Sequence, residues 1–146
     1  MTRTNPLCRL REHGQSVWLD YIERGFVRRG DLAKAIREDC VAGVTSNPAI
    51  FHKAITEYGQ YDDDIRQRAR AGRSIADIYD DLVIDDIQAA ADALRGVYDE
   101  TNAEDGYVSL EVSPHLARDS VRTIEDGLRL WKRVDRPNLM IKVPGT

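Results

Sequence analysis

The chain has 146 residues, with 21 Lys+Arg against 25 Asp+Glu, a formal net charge of −4 and 42% hydrophobic residues. That length suits one domain, the apolar share excludes a disordered chain, and the mild acidity argues against a nucleic-acid partner, which would meet a basic face. No stretch approaches the ~18 apolar residues of a membrane span, residues 1–10 lack a signal-peptide core, and Cys8 and Cys40 read as two reduced thiols of a cytoplasmic protein.

Residues 1–14 read as an N-terminal extension. Residues 15–20 (QSVWLD) then form a short apolar strand behind Gly14. Residues 31–39 place Leu32, Ala35 and Ile36 at helical spacing after a Gly30-Asp31 start. Residues 41–45 (VAGVT) are a second strand, and Asn47-Pro48 supplies a natural N-cap and first-turn proline for the next helix. Residues 58–71 read as a charged helix closed by Gly72. Ser74 and Asp77 then resemble a capping box opening a long helix that carries Ile78, Leu82, Ile87, Leu94 and Val97 to about residue 100. Asp80, Asp81, Asp85 and Asp86 fall mostly off that stripe and read as a solvated face.

A turn at 102–106 precedes a third strand at 107–112 (YVSLEV). Residues 116–134 repeat Leu116, Ser120, Ile124, Leu128 and Trp131 on one helical face, so that Trp131 is expected in a helix core. Pro137 stops that helix, and residues 138–143 (NLMIKV) are a fourth strand. Strands alternating with helices specify a parallel α/β sheet, either open and doubly wound or the start of a (β/α) barrel. Dinucleotide and phosphate-loop fingerprints are both absent from the sequence. A closed barrel needs eight strands, and four are legible here.

Side chains alternate across a strand. In each of the four, one face is apolar and suited to covering helices, while the other ends in a polar group: Asp20, Thr45, Glu111 and Lys142. All four stand at carboxyl ends, where parallel α/β folds place their chemistry. Lys142 interrupts the apolar run Leu139, Met140, Ile141, Val143. A lysine buried from both sides would be pushed towards a neutral amine able to attack a carbonyl and form a Schiff base. A lysine that ends its strand and reaches water fits the sequence equally well. Asp20 and Glu111 on neighbouring strands tip the balance, because making and dehydrating a carbinolamine needs an acid/base within reach. A salt bridge to the same lysine is their alternative role. Helix capping already explains Asn47, and Thr45 and Ser46 also suit a turn. His13, His52 and His115 are scattered, and Trp18 is expected inside the barrel beside Asp20.

Four blocks carry a family resemblance: SVWLDYIERG (16–25), GVTSNPAIF (43–51), VSLEVSPHLA (108–117) and NLMIKVPGT (138–146). In that order they resemble the transaldolase family, most nearly its long bacterial branch. The resemblance implies a (β/α)8 TIM barrel of which residues 1–146 are the N-terminal part, the first four βα units. It implies transfer of a dihydroxyacetone unit in the pentose phosphate pathway. The donor is sedoheptulose 7-phosphate or fructose 6-phosphate, and the acceptor is an aldose phosphate. Lys142 matches the Schiff-base lysine. Asp20 matches the aspartate that acts on the C4 hydroxyl, and Glu111 the glutamate that works through a water. Thr45 and Asn47 match polar positions beside the bound sugar. No metal or organic cofactor is implied, the protonated imine being the electron sink.

The family's further strands and its phosphate-binding arginines have no counterpart in these residues. The first and fourth strands are then open edges, and self-association or a C-terminal half-barrel partner is expected. A non-catalytic half-barrel, and an aldolase that releases dihydroxyacetone to water, are the competing readings.

Overall fold

The computed structural model describes residues 5–145. Residues 1–4 of the expected extension, and Thr146 of the last block, lie outside them. A 3-10 helix over Pro6–His13 leads to strand β1 (Val17–Leu19). Helices α1 (Arg24–Arg28) and α2 (Asp31–Asp39) precede β2 (Val41–Val44). Three helices follow: α3 (Pro48–Glu57), α4 (Asp62–Arg70) and α5 (Ile75–Glu100). Then come β3 (Tyr107–Glu111), a 3-10 turn at Pro114–Leu116, α6 (Ser120–Val134) and β4 (Leu139–Lys142).

The four strands are parallel and lie in the order β1-β2-β3-β4. A doubly wound sheet reverses direction at a switch point, whereas here every strand adds on the same side, as in a barrel. The chain is therefore α/β, with the strand progression of the first βα units of a TIM barrel. α5 crosses the outer face and buries Ile87, Ala90, Ala91 and Leu94 against Val44, Val108, Leu110, Val112 and Leu139. Those strand residues are the ones alternation assigns to the covered face. On the inward face a Cβ at Gly43 would overlap the Trp18 indole, so this strand position has room for glycine alone. Trp18 is half-buried on the inner side, as expected.

The caps follow the sequence closely. Asn47 Oδ1 accepts from the Ile50 amide at 2.9 Å, and Ser74 Oγ accepts from the Asp77 amide at 3.1 Å. α1 has no counterpart in the sequence reading. It is five residues long, and its cap is Glu23, whose carboxylate accepts from the Gly25 and Phe26 amides.

Three expectations are corrected. Cys8 and Cys40 are not free thiols: they form a disulfide with a Cα–Cα distance of 5.1 Å. Thirty-two positions separate them, and only the return of the 3-10 helix to the start of β2 brings them together.

Asp86 is not on a solvated face. It is 4% exposed and accepts from Arg24 Nε and Tyr61 Oη, each at 2.7 Å. Arg24, which is also buried, stacks over the Tyr61 ring and pairs with Asp64. The remaining three acids do meet arginines near the surface, Asp80 with Arg129 and Arg133, Asp81 with Arg73 and Arg133, Asp85 with Arg68.

Trp131 is not in a helix core. α6 buries Gly127, Leu130 and Val134, and leaves Val121, Ile124, Leu128 and Trp131 exposed. Gly127 decides the choice of face, because its missing side chain lets the helix settle on Ile141.

Candidate active site

The strand-end residues fall into two pairs. Glu111 and Lys142 are direct partners in the β3/β4 register, and Lys142 Nζ lies 3.0 Å from Glu111 Oε2. The same nitrogen donates to the Ser46 carbonyl at 2.8 Å. At the other edge, Thr45 Oγ1 donates to Asp20 Oδ1 at 2.5 Å. No hydrogen bond joins Asp20 to Lys142 among the described residues. Their strands sit at opposite edges of the sheet, about 14 Å apart along it, a span that the inward curl of a barrel shortens.

Lys142 is not buried from both sides. Its side chain is 38% exposed, against 17% for Glu111. Among the described residues no strand pairs with β4 on its far side, and Met140 and Val143 are exposed as well. What holds the amine is therefore a carboxylate and a carbonyl rather than an apolar cage.

Two serines add to the constellation. Ser46 is fully buried and donates from Oγ to the Ser109 carbonyl at 2.7 Å, while its own carbonyl receives Lys142. It thus fastens the end of β2 to both β3 and β4. Its small size and place in a turn hid that role in the sequence. Ser109, two residues before Glu111 on the same face, is 6% exposed, and its Oγ has no hydrogen-bond partner among the described residues. Strand parity marks it, although only the strand's last residue drew attention.

Asn47 Oδ1 accepts in the α3 cap, which leaves its amide nitrogen as the donor it can offer a ligand. A cleft of about 480 Å³ borders the cluster through Ser46, Asn47 and Glu111. Phe51, Val83, Leu110 and Leu130 make most of it an apolar gap in the helical layer, and neither Asp20 nor Lys142 lines it. The lysine and Asp20 stand outside it, at the strand ends.

An amine, two carboxylates and a hydroxyl gathered at the carboxyl ends of parallel strands match the four sequence blocks in place as well as in order. The family model for transaldolase/fructose-6-phosphate aldolase matches residues 17–146. The chain belongs to this family. It is 47% identical over 146 residues to a transaldolase of Thiobacillus denitrificans, covering 100% of this chain and 40% of that protein. A transaldolase of Thermobifida fusca is 49% identical over 142 residues, 97% of this chain and 39% of the relative. Transaldolase 2 of Nostoc punctiforme is 46% identical over 143 residues, 98% and 38% respectively. The chain thus spans about two fifths of the length of these transaldolases.

Proposed function

We propose that this chain carries the Schiff-base half of a transaldolase site, with Lys142 as the nucleophile. The observation that carries the reading is the Lys142–Glu111 contact of 3.0 Å at adjacent strand ends. The amine adds to the ketose carbonyl, and the carbinolamine loses water to give the imine. Glu111 serves the proton transfers of that step, through a water. Asp20, oriented by Thr45, accepts the proton of the C4 hydroxyl as the C3–C4 bond breaks and the aldose leaves. The enamine left on Lys142 then attacks the aldehyde of an acceptor aldose phosphate. Thr45 and the Asn47 amide nitrogen bind the dihydroxyacetone unit. In this reading the ketose is sedoheptulose 7-phosphate or fructose 6-phosphate, the pathway is the pentose phosphate pathway, and the setting is cytoplasmic.

Borohydride reduction in the presence of fructose 6-phosphate should leave a three-carbon adduct on Lys142, read by peptide mass spectrometry. A folded sample with no adduct would overturn the reading. Comparing products with and without an acceptor aldose separates transfer from simple aldol cleavage.

A second reading, a half-barrel that needs a partner, is favoured by one specific observation. The apolar row of α6 stands in solvent beside the unpaired edge of β4. The partner would be another copy or a chain supplying further βα units.

A further inference from the structure

The N-terminal end of the sheet holds a device that the proposed chemistry does not use. Cys8 lies in the 3-10 helix Pro6–His13, none of whose residues is buried. Apolar packing therefore does not hold this segment. Among the described residues, what ties it to the end of α2 and the start of β2 is the Cys8–Cys40 disulfide and the Asn5 side chain, which donates to the Glu38 carbonyl at 2.9 Å and to Asp39 Oδ1 at 2.6 Å. Cys40 is the left-handed residue, φ 56°, that ends α2 and directly precedes Val41, the register partner of Val17 in β1.

β1 is the strand that most needs such a tie. It has three residues, all half-buried, among the described residues it pairs only with β2, and its register is irregular between Val17 and Trp18. At its far end it is fastened by the Thr45 amide, which donates to the Leu19 carbonyl at 2.9 Å, and by the Thr45–Asp20 bond. β2, β3 and β4 are anchored separately, by the core under α5 and by Ser46.

We propose that the Cys8–Cys40 disulfide is a redox latch on edge strand β1. Both sulfur-bearing residues are only half-buried, within reach of a dithiol reductant. One thiolate of the reductant attacks a sulfur of the pair and releases the other as a thiol. The second thiol of the reductant then displaces the mixed disulfide. Two electrons and two protons pass to Cys8 and Cys40, and the reductant leaves as its own disulfide. Unlatched, β1 has no covalent tie and is held by its pairing with β2, by the Ser16 hydroxyl donating to Asp105 just before it and by the Thr45 bonds just after it, so it opens more often and carries Asp20 with it. The effect on catalysis rests on the role proposed for Asp20; the latch itself does not.

Hydrogen exchange followed by mass spectrometry tests it on the whole chain, comparing the oxidised form with the form reduced by dithiothreitol and alkylated. The double variant Cys8→Ser, Cys40→Ser serves as a second unlatched form. In both unlatched forms, amides of residues 17–20 and of Thr45 should exchange at least about tenfold faster, with β3 and β4 unchanged. Three results overturn the proposal: unchanged exchange in β1, equal loss of protection across β3 and β4, or two titratable thiols in the unreduced chain. Borohydride trapping reads a different bond, so a failed adduct with a positive exchange result counts against the chemistry and not against the latch.

Discussion

At the scale of single residues, Lys142 and Glu111 show how one contact can serve two needs. With the amine beside solvent, the carboxylate 3.0 Å away helps the Ser46 carbonyl to fix where it points and is the nearest side chain able to take up its proton. Glu111→Gln keeps the shape and removes the acid/base. Adduct formation on Lys142 should then slow by about a hundredfold or more, with the labelled residue unchanged, as read by timed borohydride quenching. The residues themselves were legible from alternation alone, because each ends its strand on the face opposite the apolar one. Their surroundings were not. Whether a strand-end lysine is caged or half-open depends on what lies beyond its strand, and no local pattern encodes that. Ser46 reads as a turn residue, and its bridging role was not legible because its two bonds run through backbone carbonyls, one to β3 and one from β4.

Among the elements, α1, α4 and α5 meet at Arg24, Tyr61 and Asp86. Burial is the main force raising the Asp86 carboxyl above the ordinary carboxylate range, with the bonds from Arg24 and Tyr61 opposing it. Burial, and then the neighbouring Asp86 charge, raise the Tyr61 phenol above its usual value. A phenol whose folded pKa lies above the unfolded value of about 10 contributes stability that is complete below that pH and is lost as the pH climbs towards the folded value. Tyr61→Phe should therefore cost about 1–3 kcal/mol at neutral pH, since it strands Asp86 Oδ2. The gap to the parent should narrow above pH ~10; urea unfolding at both pH values measures it.

Element limits were readable wherever local chemistry sets them: Gly30 before α2, Asn47-Pro48 at α3, Ser74 at α5. Faces were harder. α6 has two apolar rows at helical spacing, and the choice between them rests on Gly127 meeting Ile141, a contact between elements. Asp86 was misjudged for the same reason, as its arginine lies 62 positions earlier.

For the whole molecule, strand order decides the architecture, and the alternation of elements had left it open. Sheet winding is set by which strands become neighbours, and sequence periodicity is blind to that. The same holds for the disulfide, whose cysteines share no motif. Among the described residues the sheet also has two unpaired edges, β1 and β4, with the exposed row Val121, Ile124, Leu128 and Trp131 on the helix that precedes the latter. Such a row beside an open strand favours association. Sedimentation velocity should show concentration-dependent self-association of the chain, and Leu128→Ser should shift it towards the 16.5 kDa monomer. A parent chain that stays monomeric at every concentration would remove the half-barrel reading.

The chain has two tryptophans, and they stand on opposite sides of the sheet: Trp18 lies flat on Gly43 at the inner surface, and Trp131 stands on the outer helix. Their fluorescence therefore reports on separate events. A sugar bound as proposed should perturb the emission of Trp18, whereas a protein covering α6 should shield Trp131 from a soluble quencher. With either indole replaced by phenylalanine, the remaining one becomes a single-site optical probe of its own surface.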